Sequence, residues 1–168
     1  TSDRVVRLAL TQALDLAEVQ KVTTAGAGVP ATGVAVYAPG VCGGNTVKGN
    51  VPEHDPEAAA AALKADGWVE GEDGILAKDG EKLALTFVYT NMGPSDAAAA
   101  ELAVAAWEEI GAKITTKVVA GAERTATLYE SGDWDIAWAA PSVPNPRLLI
   151  PFFSGPHPSD GGANFASI

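Results

Sequence analysis

Gly132-Asp133-Trp134-Asp135-Ile136-Ala137-Trp138-Ala139-Ala140-Pro141 reads as a short buried strand that stops abruptly. Period-two alternation puts Trp134, Ile136 and Trp138 on one face and Asp135, Ala137 and Ala139 on the other. Pro141, Pro144 and Pro146 then forbid both ladder hydrogen bonds and a helix interior, so the chain must leave the sheet as an irregular loop. Pockets form at such exits. Trp134 fits core filling as well as ligand lining, whereas Trp138, nearest the strand end, is the better candidate for a ligand contact.

The segments before this strand set its context. Glu81 to Thr90 alternates through Leu83, Leu85, Phe87 and Tyr89 as a strand, paired in a hairpin with Glu70 to Lys78 through the turn signal Asp79-Gly80. Ser95 caps an expected helix to Ile110 with the stripe Ala99, Leu102, Ala103, Ala106 and Ile110, ended by Gly111. Ala112 to Val119 alternates as a strand, and Glu123 to Ser131 reads as a helix closed by Gly132. Strand-helix-strand-helix-strand spacing favours parallel neighbours whose carboxyl ends share one edge. Ligands bind beyond that edge in open α/β sheets, which selects Asn91 and Met92, Ala120 and Gly121, and Trp138 to Arg147.

The amino-terminal half is helical with one long crossing. Asp3 caps a helix to Leu14 with the stripe Val6, Leu10, Ala13 and Leu14, and Asp15 opens a second to Val22. Ala25-Gly26-Ala27-Gly28-Val29-Pro30 is glycine-rich, but no strand precedes it and it lacks the lysine-serine ending of a phosphate loop. From there to Pro52 the chain reads as an extended crossing. Asp55-Pro56-Glu57 then starts a helix to Asp66, stopped by Gly67, with Ala59, Ala62 and Leu63 on its packing face and Trp68 folded back.

Composition narrows the function classes. A chain of 168 residues that is 47% hydrophobic suits one domain with one core, and a net charge of -10 argues against nucleic acid or an anionic membrane surface as partner. The longest apolar run falls short of a membrane span, and Thr1-Ser2-Asp3 carries neither an initiator methionine nor a signal peptide, as expected of a segment cut from a longer chain. Cys42 is alone, so it builds neither an internal disulfide nor a redox pair. His54, His157, Ser154 or Ser159, and Asp135 supply the residue types of a hydrolytic triad, yet no glycine-x-serine-x-glycine elbow accompanies them. Glu70, Glu72 and Asp73 lack the spacing of a calcium loop and read as a solvated turn. No catalytic residue, metal or cofactor is therefore expected. A structural or interaction module, docking through the alanine-rich helices, is the alternative reading.

The ordered series Arg4-Val5-Val6-Arg7-Leu8-Ala9-Leu10 with Ala13-Leu14-Asp15, Asp55-Pro56-Glu57 to Gly67-Trp68, Asp73-Gly74-Ile75, Asp79-Gly80, Ile110-Gly111 and Gly132-Asp133-Trp134-Asp135 resembles the family 5 extracellular solute-binding proteins. These are receptors of peptide- and nickel-type ABC importers. The resemblance implies an α/β, type II periplasmic-binding-protein-like lobe, with helices on a mixed, mostly parallel sheet and a β-hairpin. Residues 1–168 would form one domain, the second lobe of a two-lobed receptor whose first lobe and carboxyl-terminal return lie outside the chain. It implies a small solute of the peptide class as ligand and an ABC permease as partner. It also implies a monomer placed in the periplasm or on the cell surface as a lipoprotein. Trp138 matches the pocket tryptophan of peptide-binding members. The aspartate that those members place three residues further on, to hold a peptide amino group, is Pro141 here. Ser142, Asn145 and Arg147 are the nearest polar replacements, and Asn91 joins them from the neighbouring strand end.

Overall fold

The computed structural model describes residues 3–33, 45–138, 146–157, 160–162 and 164. Three aspartate caps start the amino-terminal helices. Asp3 Oδ1 accepts from Val5 N at 2.7 Å to open α1 (Arg4–Ala13), and Asp15 Oδ1 accepts from Ala17 N and Glu18 N to open α2 (Leu16–Thr23). Asp55 Oδ1 accepts from Ala58 N at 2.8 Å at the head of α3 (Pro56–Ala65), where Pro56 supplies a preset φ. Val6, Leu10, Ala13 and Leu14 are buried as the stripe requires, joined by Ala9. On α3 Ala59 and Leu63 are buried and Ala60 packs partly against the core, while Ala62 is exposed; Trp68 packs back on the core. Of the crossing before α3, residues 34–44, with Cys42, lie outside the described residues, and its flanks are joined by Thr46 N donating to Thr32 O.

The expected strand from Glu70 to Lys78 is two short strands, β1 (Val69–Glu70) and β2 (Leu76–Lys78), because Gly71 to Ile75 closes a turn with Gly74 at φ 77°. Asp79 and Gly80 both take positive φ, as a type I′ turn demands, and lead into β3 (Glu81–Lys82). The strand expected to continue to Thr90 breaks at Leu83. Its N–H donates to Leu76 O in the hairpin while its carbonyl accepts from Lys113 N, so Leu83 hands the chain from one sheet to the next. The antiparallel hairpin strands thus form their own three-stranded sheet beside the parallel one.

The parallel sheet has the order β5-β4-β6, with β4 (Ala84–Tyr89) central, β5 (Lys113–Val118) on one side and β6 (Ile136–Ala137) on the other. The expected parallel topology holds, with Phe87 opposite Thr116 and Ile136. Leu83, Leu85 and Phe87 point into the main core, shared with α1, α3 and α4 (Pro94–Glu109). Val88 points the other way, into a smaller cluster with Val119 and Leu128.

Two expectations about α4 are corrected. Its cap is Gly93 rather than Ser95, because Pro94 suits the first helical position and leaves Ser95 inside the first turn; the Asp96 carboxylate accepts from Met92 N at 2.9 Å instead. The buried face is Ala99, Ala100, Ala103, Trp107 and Ile110, whereas Leu102 is exposed. Alanine, leucine and valine occur all round this helix, so periodicity selects no face. Trp107 does, since its indole N–H donates to Leu10 O at 2.9 Å within the core. Gly111 then reverses the chain at φ 91°, where a Cβ would stand 2.6 Å from Leu76 Cγ. After β5 the helix begins at Gly121 rather than Glu123: α5 (Gly121–Thr125) widens into a π-helical turn over Ala126–Ser131, with Ser131 Oγ donating to Thr127 O. Gly132 ends it in the left-handed region.

A polar junction ties the hairpin to the helices. Lys78 Nζ lies 2.7 Å from Asp66 Oδ2 at the end of α3 and 4.0 Å from Asp3 Oδ2 at the head of α1. The Asp66 carboxylate, by that hydrogen bond, holds the Lys78 ammonium above its ordinary value of 10.5, against some loss of hydration. Across the hairpin Lys82 Nζ bonds Asp73 Oδ2 at 2.6 Å and lowers Asp73 below 3.8. A raised lysine stabilises the fold fully below its unfolded pKa, and the gain disappears as pH rises through the folded value; a lowered carboxylate stabilises above its unfolded pKa, and the gain disappears as pH falls through the folded value. Lys78→Met should therefore flatten the loss of stability above pH 10.5, and Lys82→Met the loss below pH 3.8. Urea midpoints recorded across pH check both. Limbs unchanged by the substitutions would remove these pairs from the account.

Candidate functional site

The opening strand is shorter than its alternation suggests. Trp134 N donates to Gly132 O in a turn, and Asp135 pairs with the central strand through both backbone and side chain: its N–H donates to Thr86 O at 3.0 Å while Oδ2 accepts from Thr86 N at 2.8 Å. The carboxylate thus takes the place of a ladder carbonyl, and regular pairing begins only at Ile136. This corrects the expected face. Trp134 packs in the smaller cluster with Val88, Val119 and Leu128, while Ile136 and Trp138 pack on the main core.

The three strand exits stand side by side. Val119 N donates to Tyr89 O at 3.0 Å and Trp138 N to Val88 O at 2.9 Å, so Thr90, Ala120 and Trp138 follow one another along the carboxyl edge. Trp138 is half-buried, its ring edge-on to Phe87 at 5.2 Å and 77°. Asn91 is exposed at the same edge, its Oδ1 accepting from Gly93 N at 3.1 Å, and Met92 beside it is 86% exposed. Arg147 is exposed in a 3-10 turn, Pro146–Leu149, ahead of α6 (Ile150–Phe153). Pro141, Ser142 and Asn145 lie outside the described residues. Of the expected set, Trp138 and Asn91 stand at the strand ends of this edge.

Sequence reasoning passed over two features. Thr90 Oγ1 is buried at the end of β4 without a hydrogen-bond partner; its only signal in the sequence is its place at the strand end. An open cleft of about 430 Å³ runs between α4 and the sheet, lined by Tyr89, Ala100, Glu101, Val104, Ala105, Glu108 and Thr116. Neither Trp138 nor Asn91 reaches it, and a helix face of alanine and glutamate reads in sequence as plain surface.

The residues of the paper triad are engaged separately. His54 Nδ1 lies 3.8 Å from Asp15 Oδ2, Ser154 Oγ donates to Ile150 O, Asp135 holds Thr86 N, and His157 lies against Gly132; Ser159 lies outside the described residues. Among the described residues no three His, Cys, Asp or Glu side chains gather as metal ligands, and no helix is long and apolar enough to cross a membrane.

Helices on both faces of a small parallel sheet, with its strand exits open on one edge, define the α/β class of type II periplasmic-binding-protein-like folds. Residues 1–159 match the family described as bacterial extracellular solute-binding proteins, family 5 Middle, and the chain belongs to that family. No curated protein sequence matches it. Among solved structures it is similar to the oligopeptide-binding protein AppA of Bacillus subtilis in complex with a nonapeptide (24% identity, 81% of this chain, 27% of that one, TM-score 0.64). It is similar also to NikZ of Campylobacter jejuni in complex with Ni(L-His) (19%, 97% and 32%, TM-score 0.70). A third is the periplasmic binding protein MelB of Agrobacterium fabrum in complex with stachyose (25%, 80% and 21%, TM-score 0.56). The chain spans between 21% and 32% of the length of these structures.

Proposed function

We propose that this chain is the second lobe of an ABC-importer receptor, which captures an oligopeptide or a similarly sized solute against the carboxyl edge of β5-β4-β6. The observation that carries the reading is the alignment of three parallel strand exits, with Trp138 at the end of β6, in a chain of the solute-binding family. The first lobe and this one close over the solute about a hinge, and the closed form is delivered to a permease. Binding then needs no chemistry at the solute, so the lobe works without a catalytic residue. The parent receptor acts as a monomer outside the cytoplasm, in the periplasm or held at the cell surface as a lipoprotein.

Trp138 is the residue to test. In the full-length receptor Trp138→Ala should lower solute affinity about tenfold or more, while Trp138→Phe keeps most of it, since stacking on a ring is worth roughly 1 kcal/mol or somewhat more. Calorimetric titration measures the affinity, and urea unfolding shows that both variants fold. Unchanged affinity in the alanine variant would sink Trp138 as a solute contact.

A further inference from the structure

Of the three strand exits, the one from β4 sets a large apolar side chain in water on a backbone that cannot retract it. Met92, the only methionine of the chain, is 86% exposed just past the end of β4. Asp96 Oδ2, from the first turn of α4, accepts from Met92 N at 2.9 Å, Asn91 Oδ1 accepts from Gly93 N at 3.1 Å, and Gly93 O accepts from Asp96 N at 3.1 Å. On the strand side of the loop Tyr89 O accepts from Val119 N, which ties it to the exit of β5. A slack loop would let so apolar a side chain fold back onto the protein; a stem tied by these bonds keeps it at the carboxyl edge, where an apolar group that docks on it leaves water together with it. Methionine suits such a contact, because its unbranched thioether chain adapts to apolar groups of differing shape. Arg147, exposed in the turn after β6, is the charged residue of the expected lining, and the β4 exit adds no charge to it, since Thr90, Asn91 and Met92 are all neutral.

Resting on the receptor reading above, we propose that Met92 is a specificity-determining contact: it receives an apolar side chain of a peptide-sized solute. Asp96 is the positioning residue, acting on the solute only through the Met92 backbone that it holds.

The test titrates the full-length receptor with three probes: pentaglycine, the same peptide with leucine at its second and fourth positions, and stachyose. The leucine peptide should bind saturably and more tightly than pentaglycine. Met92→Gln, similar in length but polar, should weaken the leucine peptide about fivefold or more and pentaglycine less than about twofold, whereas Met92→Leu should stay within about twofold of the parent for both. Asp96→Ala should weaken the leucine peptide in the parent and leave it unchanged in the Met92→Gln background, because a brace acts only through what it holds. Urea unfolding shows that each variant folds. A leucine-peptide affinity unchanged by Met92→Gln, an equal loss for both peptides, a loss as large in Met92→Leu, or binding of stachyose alone overturns the apolar contact while leaving the receptor reading in place. Equal losses from Asp96→Ala in both backgrounds overturn the positioning role of Asp96. No saturable binding of any of the three probes overturns the contact and the receptor reading together.

Discussion

Phe87→Ala is expected to cost about 3–5 kcal/mol of folding stability, a large share of the roughly 5–15 kcal/mol that holds a domain of this kind together. Phe87 is 0% exposed on the central strand and stands where three aromatic contacts of the core meet. Tyr89 stacks on it at 5.3 Å and 25°, and Trp107 and Trp138 present their rings near-perpendicular at 5.1 and 5.2 Å. Removing the ring leaves a cavity enclosed by the sheet on one side and the helices on the other, where neither can collapse far. It also removes the support of Trp138, so a variant that still folds should bind solute more weakly than its population of folded receptor explains. Phe87→Leu, which keeps most of the volume, should cost less than about half as much. Urea denaturation measures both. A loss below about 1 kcal/mol for the alanine variant would mean that Phe87 is not the keystone of this core.

The second large effect concerns the chain by itself. Its main core closes within the described residues, because α1, α3, α4 and β4 bury one another's side chains. The isolated 168 residues should therefore unfold in one cooperative transition. They should nonetheless bind solute at least about a hundredfold more weakly than the full-length receptor, a difference of roughly 2.7 kcal/mol. Half of the solute would stay in water, and no closed state exists to reward binding. Parallel calorimetric titrations decide the matter. Equal affinities would show that this chain holds the whole site, and hinge closure would lose its basis. A broad, non-cooperative transition would place the domain boundary elsewhere.

Local signals in this sequence are of the kind that act over a few residues, and those were legible. Asp3, Asp15 and Asp55 cap helices because a carboxylate reaches only the N–H groups two or three positions ahead. Asp79-Gly80 turns the hairpin because both residues tolerate positive φ. The strand-helix-strand rhythm from Ala84 to Ala137 leads to a parallel sheet because connections of that length, each with a helix, supply the crossover that parallel neighbours need. Family membership was legible for the same reason, as an ordered series of such signals along one chain.

What only the tertiary structure decided depends on partners distant in sequence. Leu102 is exposed and Trp107 buried because Trp107 meets Leu10 O, 97 residues away, and alanine-rich α4 has no stripe of its own to oppose that choice. Trp134 lies on the opposite side of the sheet from Trp138 because the Asp135 side chain, not its backbone, satisfies Thr86 N, and this delays the strand by the residue that fixes its faces. Leu83 ends one sheet and begins another because two carbonyl and amide partners, Leu76 and Lys113, pull in different directions. The site follows the same division. That Trp138 and Asn91 belong at strand ends was written in alternation and proline; that they stand on one edge, beside Thr90 and Ala120, required the pairing of β5, β4 and β6.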